Sequence, residues 1–80
     1  MPRVTLYTRA GCHLCEAAKQ VLARARRRAV FDLEEVDIDA DPALRERYNE
    51  EVPVVAIDGR KAFKYRVEEQ EFLKKLEART

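Results

Sequence analysis

Several features that define particular classes of protein are scarce or missing from this sequence. Its 80 residues include no tryptophan, one histidine, two glycines and two cysteines. No apolar run approaches the roughly 18 residues of a membrane span. Lys and Arg number 16 against 15 Asp and Glu, so the formal net charge is only +1. A membrane-spanning protein, a strongly basic nucleic-acid binder and a chain with a polyacidic tail are therefore disfavoured.

Length and composition indicate one small globular domain, residues 1–80. Hydrophobic residues make up 46% of the chain and charged residues 39%, which is a globular rather than a disordered balance. A chain of this size supports one modest core and no enclosed substrate chamber. The first residues, MPRVTLYT, are too short and too polar for a signal-peptide core. We therefore expect a reducing, cytoplasmic setting, and we expect the domain to act as a monomer.

Hydrophobic periodicity predicts strands and helices in alternation along the chain. Asp41 and Pro42 mark a helix start, because aspartate caps helices and proline fits the first helical position. The apolar run Val54–Ile57 is typical of a strand buried on both faces. The predicted strands are 3–8, 30–37, 54–57 and 62–66, and the predicted helices are 13–28, 42 to 48 or 49, and 67–78.

The order of these elements, β-α-β-α-β-β-α, predicts an α/β fold. The first strand–helix–strand unit is expected to form a right-handed parallel crossover. Asp58-Gly59 is a strong hairpin signal, so the last two strands are predicted to be antiparallel. Lysines and an arginine on the last strand are typical of a sheet edge. A four-stranded mixed sheet with helices on both faces satisfies all of these expectations.

The two cysteines, Cys12 and Cys15, form a Cys-x-x-Cys motif at a predicted strand-to-helix turn. Thiol–disulfide exchange needs an attacking thiolate and a second thiol close enough to resolve the mixed disulfide. Cys12 falls at the helix N-terminus, where unpaired N–H groups and the helix dipole favour a thiolate. Cys15 lies a turn further in and is expected to be more buried. Cys12 is therefore the predicted nucleophile and Cys15 the resolving thiol.

Arg9 and His13 are the cationic or hydrogen-bonding side chains nearest to this motif in the sequence. Either side chain could stabilise a thiolate charge at Cys12. Arg9 could also hold a substrate carboxylate, because a guanidinium forms paired hydrogen bonds to carboxylates.

The motif is also compatible with a metal site or with a merely buried, inert pair. Zinc usually takes four protein ligands in a structural site, and the chain offers Cys12, Cys15 and His13, with the histidine wedged between the cysteines. A shared zinc ion would therefore need a second chain. An inert pair is disfavoured because Gly11 places the motif at a turn.

Val52-Pro53 stands directly before the predicted buried strand. Proline can open a strand because no ladder donor is needed there, and an X–Pro bond is most often trans. From position alone, the trans form is expected. If the bond were cis, Pro53 would present the backbone of Val52 to an extended cysteinyl substrate, which could pair with it as a short antiparallel strand.

The chain resembles the glutaredoxins and glutaredoxin-like proteins of the thioredoxin superfamily over nearly its whole length. The resemblance implies a thioredoxin fold, a nucleophilic Cys12, a resolving Cys15 and a cis bond before Pro53. It also implies a substrate groove around Arg9, Val52 and Pro53, with Arg9 at the family's basic position that contributes to glutathione binding. The segments that carry it, in order, are YTRAGCHLC (7–15), VPVV (52–55) and IDG (57–59).

The sequence departs from the typical family pattern in two places. His13-Leu14 separates the cysteines where typical glutaredoxins have Pro-Tyr, which fits a glutaredoxin-like branch. The family's Gly-Gly and acidic residue, which bind glutathione after the last strand, are replaced by residues 62–68, which contain no glycine. Side chains in this stretch narrow the access of glutathione to the backbone. A protein disulfide is therefore the alternative substrate, with a thioredoxin-reductase-type enzyme as reductant. Tyr65 in this stretch, and Tyr48, are predicted to be half-buried packing residues.

These observations predict a small thiol–disulfide oxidoreductase that uses a Cys12–Cys15 redox disulfide to reduce protein or glutathione mixed disulfides. No metal or organic cofactor is expected, glutathione is a candidate co-substrate, and the electron donor is glutathione or a reductase. Neither a nucleic acid nor a membrane is expected as a partner. Two alternatives are a module sharing zinc or an iron–sulfur cluster between two chains, and a non-enzymatic redox-sensing domain. The predicted substrate-binding residues are Arg9, His13, Val52 and Pro53.

Overall fold

A computed structural model of the chain describes residues 1–78. A short 3-10 helix, Ile38–Ala40, lies between the second strand and the second helix. The predicted α/β class and the order β-α-β-α-β-β-α are confirmed. The last two residues of the expected domain, 79 and 80, lie outside the described residues. The strands are β1 (Arg3–Thr8), β2 (Asp32–Asp37), β3 (Val54–Ile57) and β4 (Arg60–Lys64), and the helices are α1 (His13–Ala25), α2 (Pro42–Tyr48) and α3 (Glu69–Glu77).

The four strands form one mixed sheet in the order β2-β1-β3-β4. β1 and β2 are parallel, as a crossover through α1 requires, and β3 is antiparallel to both β1 and β4. The predicted four-stranded mixed sheet is therefore confirmed, and β4 is an edge strand as expected. Tyr7 pairs with Val54, so the end of β1 and the start of β3 meet at the same edge of the sheet.

The β3–β4 hairpin is tighter than predicted. Asp58 and Gly59 both have positive φ angles, 51° and 87°, as a two-residue turn of the I′ type requires. Strand pairing resumes at once, with Ile57 opposite Arg60. β4 therefore begins at Arg60 and not at residue 62. It ends at Lys64, and not at residue 66, because the next residue has a φ of 71° and leaves the extended region.

α1 ends at Ala25, and the prediction that it continues to Arg28 is wrong. The chain instead tightens into turns in which Arg27 N–H donates to Arg24 O at 3.1 Å and Arg28 N–H donates to Ala25 O at 2.9 Å. Ala25 is the last fully buried position of the helix, and the arginines that follow gain no apolar burial from a helical conformation. Arg24 and Arg28 instead form ion pairs with Glu69 of α3 at 3.0 and 3.5 Å.

β2 and α3 each begin two residues later than predicted, at Asp32 and Glu69. Val30 is 72% exposed and lies outside the sheet. Val67 is buried, but it precedes the helix, and the extended Glu68 serves as the N-cap. Apolar residues on either side of an element boundary contribute to the same periodicity, so the sequence pattern overestimates both elements.

α2 begins as predicted. Asp41 is the N-cap and accepts a hydrogen bond from Ala43 N–H through Oδ1 at 2.9 Å. Pro42 occupies the first helical position, where its missing N–H leaves no hydrogen bond unmade.

Helices cover both faces of the sheet, as expected. α1 and α3 cover one face, and α2 with the 3-10 helix covers the other, where Ile38, Tyr48 and Val54 pack together. Tyr48 is buried rather than half-buried. The prediction for Tyr65 is wrong, because this side chain lies in the loop after the edge strand and is 45% exposed. The main core consists of Val4, Leu6, Ala18, Leu22, Ala25, Phe31, Val55, Ile57, Val67, Phe72 and Leu76.

Among residues 1–78, no helix has both the length and the apolar character needed to cross a membrane.

Phe72 is the aromatic residue on which the main core is centred. It is fully buried and packs edge-to-face on Phe31 with ring centroids 5.3 Å apart. We expect Phe72→Ala to lower the free energy of unfolding by about 3–5 kcal/mol, because a large cavity replaces the ring. Urea denaturation measures this loss, and Leu73→Ala at a half-buried neighbouring position is the control. A Phe72→Ala variant no less stable than the control would contradict this account of the core.

Candidate functional site

The turn between β1 and α1 is shaped by Gly11. Its φ angle is +76°, and no atom beyond its two chain neighbours lies within 4 Å of where a Cβ would stand. Glycine is therefore required here for its backbone conformation and not for lack of space. The turn delivers Cys12 to the N-cap of α1 with an extended backbone, φ −96° and ψ 114°.

Cys12 occupies the position that a serine or aspartate fills in most helices. Its Sγ accepts a hydrogen bond from the backbone N–H of Cys15 at 3.2 Å. This contact satisfies one of the helix's unpaired N–H groups with a sulfur in place of an oxygen. An anionic sulfur accepts such a hydrogen bond more strongly than a neutral one. The helix start is thus built around the sulfur that the sequence predicts to be the nucleophile.

The two cysteines differ in accessibility. Both are free thiols; Cys12 is half-buried, whereas Cys15 is completely buried, as the sequence predicts. Burial raises the pKa of the Cys15 thiol, and its hydrogen bond to Cys12 raises that pKa further. The site therefore combines an accessible sulfur with an inner thiol that is held protonated.

Thr8 at the end of β1 is the only polar or charged residue in the buried set of residues 1–78, with 8% of its surface exposed. Its Oγ1 has no hydrogen-bond partner among these residues, and an unpaired buried hydroxyl costs about 1–3 kcal/mol. The hydroxyl nevertheless lowers the pKa of the Cys15 thiol, although burial and Cys12 raise the same pKa by larger amounts. Nothing in the sequence distinguishes Thr8, because threonine is common in ordinary strands.

The guanidinium of Arg9 forms a hydrogen-bond network with Asp39 and Asn49. It donates to both carboxylate oxygens of Asp39, at 3.0 and 2.9 Å. It also donates to the backbone O and side-chain Oδ1 of Asn49, at 3.1 and 2.8 Å. The hydrogen bond from Arg9 holds the pKa of the Asp39 carboxyl below its usual range. Arg9, predicted to bind substrate, thus already has four partner contacts within the chain.

The partners of Arg9 were missed by sequence analysis. Asp39 lies in the 3-10 helix that directly follows β2, and Asn49 directly follows α2. Since β1 and β2 are parallel and Thr8 pairs with Asp37, the residues after both strands meet at one edge of the sheet. The feature of the sequence that could have identified Asp39 as a partner of Arg9 was therefore its position, two residues beyond the end of the second strand.

Val52 and Pro53 enter the same edge of the sheet from β3. The peptide bond between them is cis, as the family resemblance implies and contrary to the expectation from position alone. Pro53 is buried, and its carbonyl accepts a hydrogen bond from Tyr65 N–H at 2.9 Å. This contact brings the start of the loop between β4 and α3 against Pro53.

His13 is the first residue of α1 and is exposed. Over the described part of the chain, no group of three or more histidine, cysteine, aspartate or glutamate side chains is placed to hold a metal ion.

The structure brings the loop of residues 9–15, the Val52-Pro53 bond and the network around Asp39 to one edge of the sheet.

Comparison with solved structures gives the fold. A structural-genomics target protein from X. campestris, solved by X-ray crystallography, is 37% identical with a TM-score of 0.77, and the match covers 94% of this chain and 96% of that one. A mutant thioredoxin from Halobacterium salinarum matches with a TM-score of 0.73 at 17% identity, over 96% of this chain and 73% of that one. The predicted thioredoxin fold is confirmed.

Sequence comparison gives the family. An uncharacterized protein of Mycobacterium tuberculosis is 36% identical over 73 residues, which cover 85% of this chain and 75% of that relative. The model of the glutaredoxin-like domain (DUF836) matches residues 3–77. Family and fold together support a domain of the redox type. The chain belongs to the glutaredoxin-like domain family (DUF836).

Proposed function

We propose that this protein is a thiol–disulfide oxidoreductase in which Cys12 attacks a disulfide and Cys15 resolves the resulting intermediate. The observation that carries the proposal is the position of Cys12 at the N-cap of α1. Its half-buried sulfur accepts the Cys15 N–H at 3.2 Å. A thiolate in this position is stabilised by the N–H groups and the dipole of the helix.

The first step forms a mixed disulfide. The Cys12 thiolate attacks one sulfur of the substrate disulfide, a new S–S bond forms to Cys12, and the substrate S–S bond breaks. The departing sulfur leaves as a thiolate and takes a proton from water. The backbone N–H of Cys15 orients the attacking sulfur, and the half-buried position of Cys12 leaves it open to the substrate.

The second step closes the Cys12–Cys15 disulfide. Cys15 loses its proton, its thiolate attacks the Cys12 sulfur, and the remaining part of the substrate leaves as a second thiol. The net result is reduction of one substrate disulfide and oxidation of the protein dithiol. A thiol donor, either glutathione or a dithiol reductase, must return two electrons before the next cycle. The proposed chemistry uses no metal and no organic cofactor.

Two classes of substrate fit the site, protein disulfides and glutathione mixed disulfides. The side chain of Tyr65 is exposed in the loop after β4, where the typical family has Gly-Gly. The guanidinium of Arg9 is engaged by Asp39 and Asn49, so a glutathione carboxylate would have to compete for it. The exposed Tyr65 and the engaged Arg9 favour a protein disulfide over a glutathione mixed disulfide as the natural substrate.

The roles of the two cysteines are tested by their serine variants. We expect Cys12→Ser to reduce disulfide reduction to the uncatalysed rate, because the attacking sulfur is gone. We expect Cys15→Ser to accumulate a mixed disulfide on Cys12, because the resolving sulfur is gone. Turnover is measured with a glutathione mixed disulfide plus glutathione and glutathione reductase, and separately with a protein disulfide plus dithiothreitol. Mass spectrometry of Cys15→Ser measures the adduct.

Three outcomes would contradict the proposal. An active Cys12→Ser variant beside an inactive Cys15→Ser variant would reverse the two roles. Inactivity of the unmodified protein in both assays, with redox-dependent partner binding, would favour a sensing domain. Bound zinc or an iron–sulfur cluster in anaerobically purified dimers would favour the metal-binding module.

The engagement of Arg9 is tested by removing its competing carboxylate. We expect Asp39→Ala to lower the KM for the glutathione mixed disulfide several-fold with little change in kcat, because Arg9 becomes free to pair with a substrate carboxylate. The Arg9→Ala/Asp39→Ala double variant is the control and is expected to lose this gain. An unchanged KM in Asp39→Ala would show that Arg9 serves the fold and not the substrate.

A further inference from the structure

Thr8 lies on the face of β1 that packs against α1. Alternation along β1 places Val4, Leu6 and Thr8 on the buried side of the strand. α1 presents Cys15, Ala18 and Leu22 as buried residues. Apart from Tyr48, which packs with Ile38 on the other face of the sheet, every other residue of the buried set in the described chain is apolar or a cysteine. A single hydroxyl therefore lies in an otherwise apolar layer, beside the inner thiol.

This hydroxyl has no partner in the resting dithiol. Thr8 Oγ1 is buried and makes no hydrogen bond within residues 1–78. The hydroxyl nevertheless lowers the pKa of the Cys15 thiol through a side-chain interaction, which places it beside that sulfur. Buried hydroxyls are almost always hydrogen-bonded in folded proteins. The unpaired hydroxyl of Thr8 therefore points to a state other than the resting dithiol, in which it has a hydrogen-bond partner.

The surroundings of Cys15 change when Cys12 enters a mixed disulfide. In the free dithiol, burial raises the Cys15 pKa, and Cys12 raises it further both by hydrogen bonding and by charge. Once Cys12 is bonded to a substrate sulfur it carries no negative charge, so its charge effect disappears and its hydrogen bond with the Cys15 thiol weakens. The remaining polar groups are the Thr8 hydroxyl and the backbone N–H of Arg9, and both lower the Cys15 pKa. Of the groups that act on this thiol, Cys12 is the ionisable side chain.

We propose that the Thr8 hydroxyl donates a hydrogen bond to the Cys15 thiolate during the resolving step. Together with the Arg9 N–H, it stabilises the buried anion that attacks Cys12. The inference rests on the proposed oxidoreductase function and deepens it by adding a residue to the second step. It also gives the unpaired hydroxyl a partner in the state in which one is needed.

No proton passes to or from Thr8 in this step. Cys15 Sγ–H releases its proton to solvent, and the electron pair of the resulting thiolate forms a bond to Cys12 Sγ. The bond between Cys12 and the substrate sulfur breaks, and that sulfur leaves as a thiolate and takes up a proton. The Thr8 hydrogen bond strengthens as charge forms on Cys15 and weakens as the new disulfide forms.

The two steps can be followed separately with an aromatic disulfide that releases a coloured thiolate at each step. The first release reports the attack by Cys12, and the second reports the attack by Cys15. Both rate constants are measured as a function of pH for the unmodified protein, Thr8→Val, Thr8→Ala and Thr8→Ser. Thr5→Val is the matched control, because Thr5 belongs to the same strand but alternates to its other face. Far-UV circular dichroism and urea denaturation establish that each variant is folded.

We expect Thr8→Val to slow the second release about tenfold at neutral pH, because the Cys15 thiolate loses a charge-assisted hydrogen bond. Its pH profile moves to higher pH, because less of the buried thiol is ionised at any given pH. The first release is unchanged. Thr8→Ser, which keeps the hydroxyl, and Thr5→Val both behave as the unmodified protein does.

The result that would overturn the inference is a folded Thr8→Val variant with an unchanged second rate and pH profile. If Thr8→Val does not fold, the smaller Thr8→Ala replaces it, and equal second rates in Thr8→Ala and Thr8→Ser would refute the inference. Failure of the proposed function is distinguishable, since the unmodified protein would then give no first release from Cys12. A loss shared by both releases would assign Thr8 to the fold alone.

Discussion

The antiparallel pairing of β1 with β3 is the constraint on which the rest of the site depends. It sets Tyr7, near the end of β1, opposite Val54, the first residue of β3. The chain leaves β1 towards Cys12 at the same edge at which it enters β3 from Pro53. A one-residue change of register would move every side chain of the shifted strand to the opposite face of the sheet. Because β3 is buried at every position, such a slip would exchange the side chains that pack in the two core layers.

The helix that begins at Cys12 uses a chemically weaker cap than helices usually have. A neutral sulfur is a poor hydrogen-bond acceptor compared with a serine or aspartate oxygen. The Cys15 N–H is nevertheless satisfied by Cys12 at 3.2 Å, and the bond strengthens when the sulfur is ionised. The same contact therefore holds the first turn together and favours the reactive form, so helix formation and the proposed chemistry depend on one group.

The inner part of the site departs from the rule that buried polar groups are paired, and it does so at Thr8. Such departures tend to occur where a function requires them. On the other side of the loop, Arg9 ties β1 to Asp39 and Asn49, residues that follow β2 and α2. Cys12 thus belongs to a loop that adjoins an apolar layer containing one hydroxyl and a charged network that joins three segments.

What the sequence determined by itself is local. The N-cap at Asp41, the hairpin turn at Asp58-Gly59, the buried run of β3 and the placement of two cysteines at a helix start all follow from residues within a few positions of one another. The cis bond before Pro53 was predicted only through the family resemblance, since most X–Pro bonds are trans. Element boundaries were misplaced because apolar residues in connecting turns continue the same periodicity.

The tertiary structure decided which groups meet. Arg9 finds Asp39 and Asn49, 30 and 40 residues along the chain, because parallel pairing with β2 and the position of α2 bring them to one edge. Thr8 becomes a buried hydroxyl beside Cys15 only because α1 packs on that face of β1. The sequence does not reveal these contacts of Thr8 and Arg9, because their surroundings depend on strand register and on how the helices pack on the sheet. Periodicity therefore predicted the elements and the Cys-x-x-Cys spacing indicated the two thiols, whereas packing determined the surroundings of those thiols.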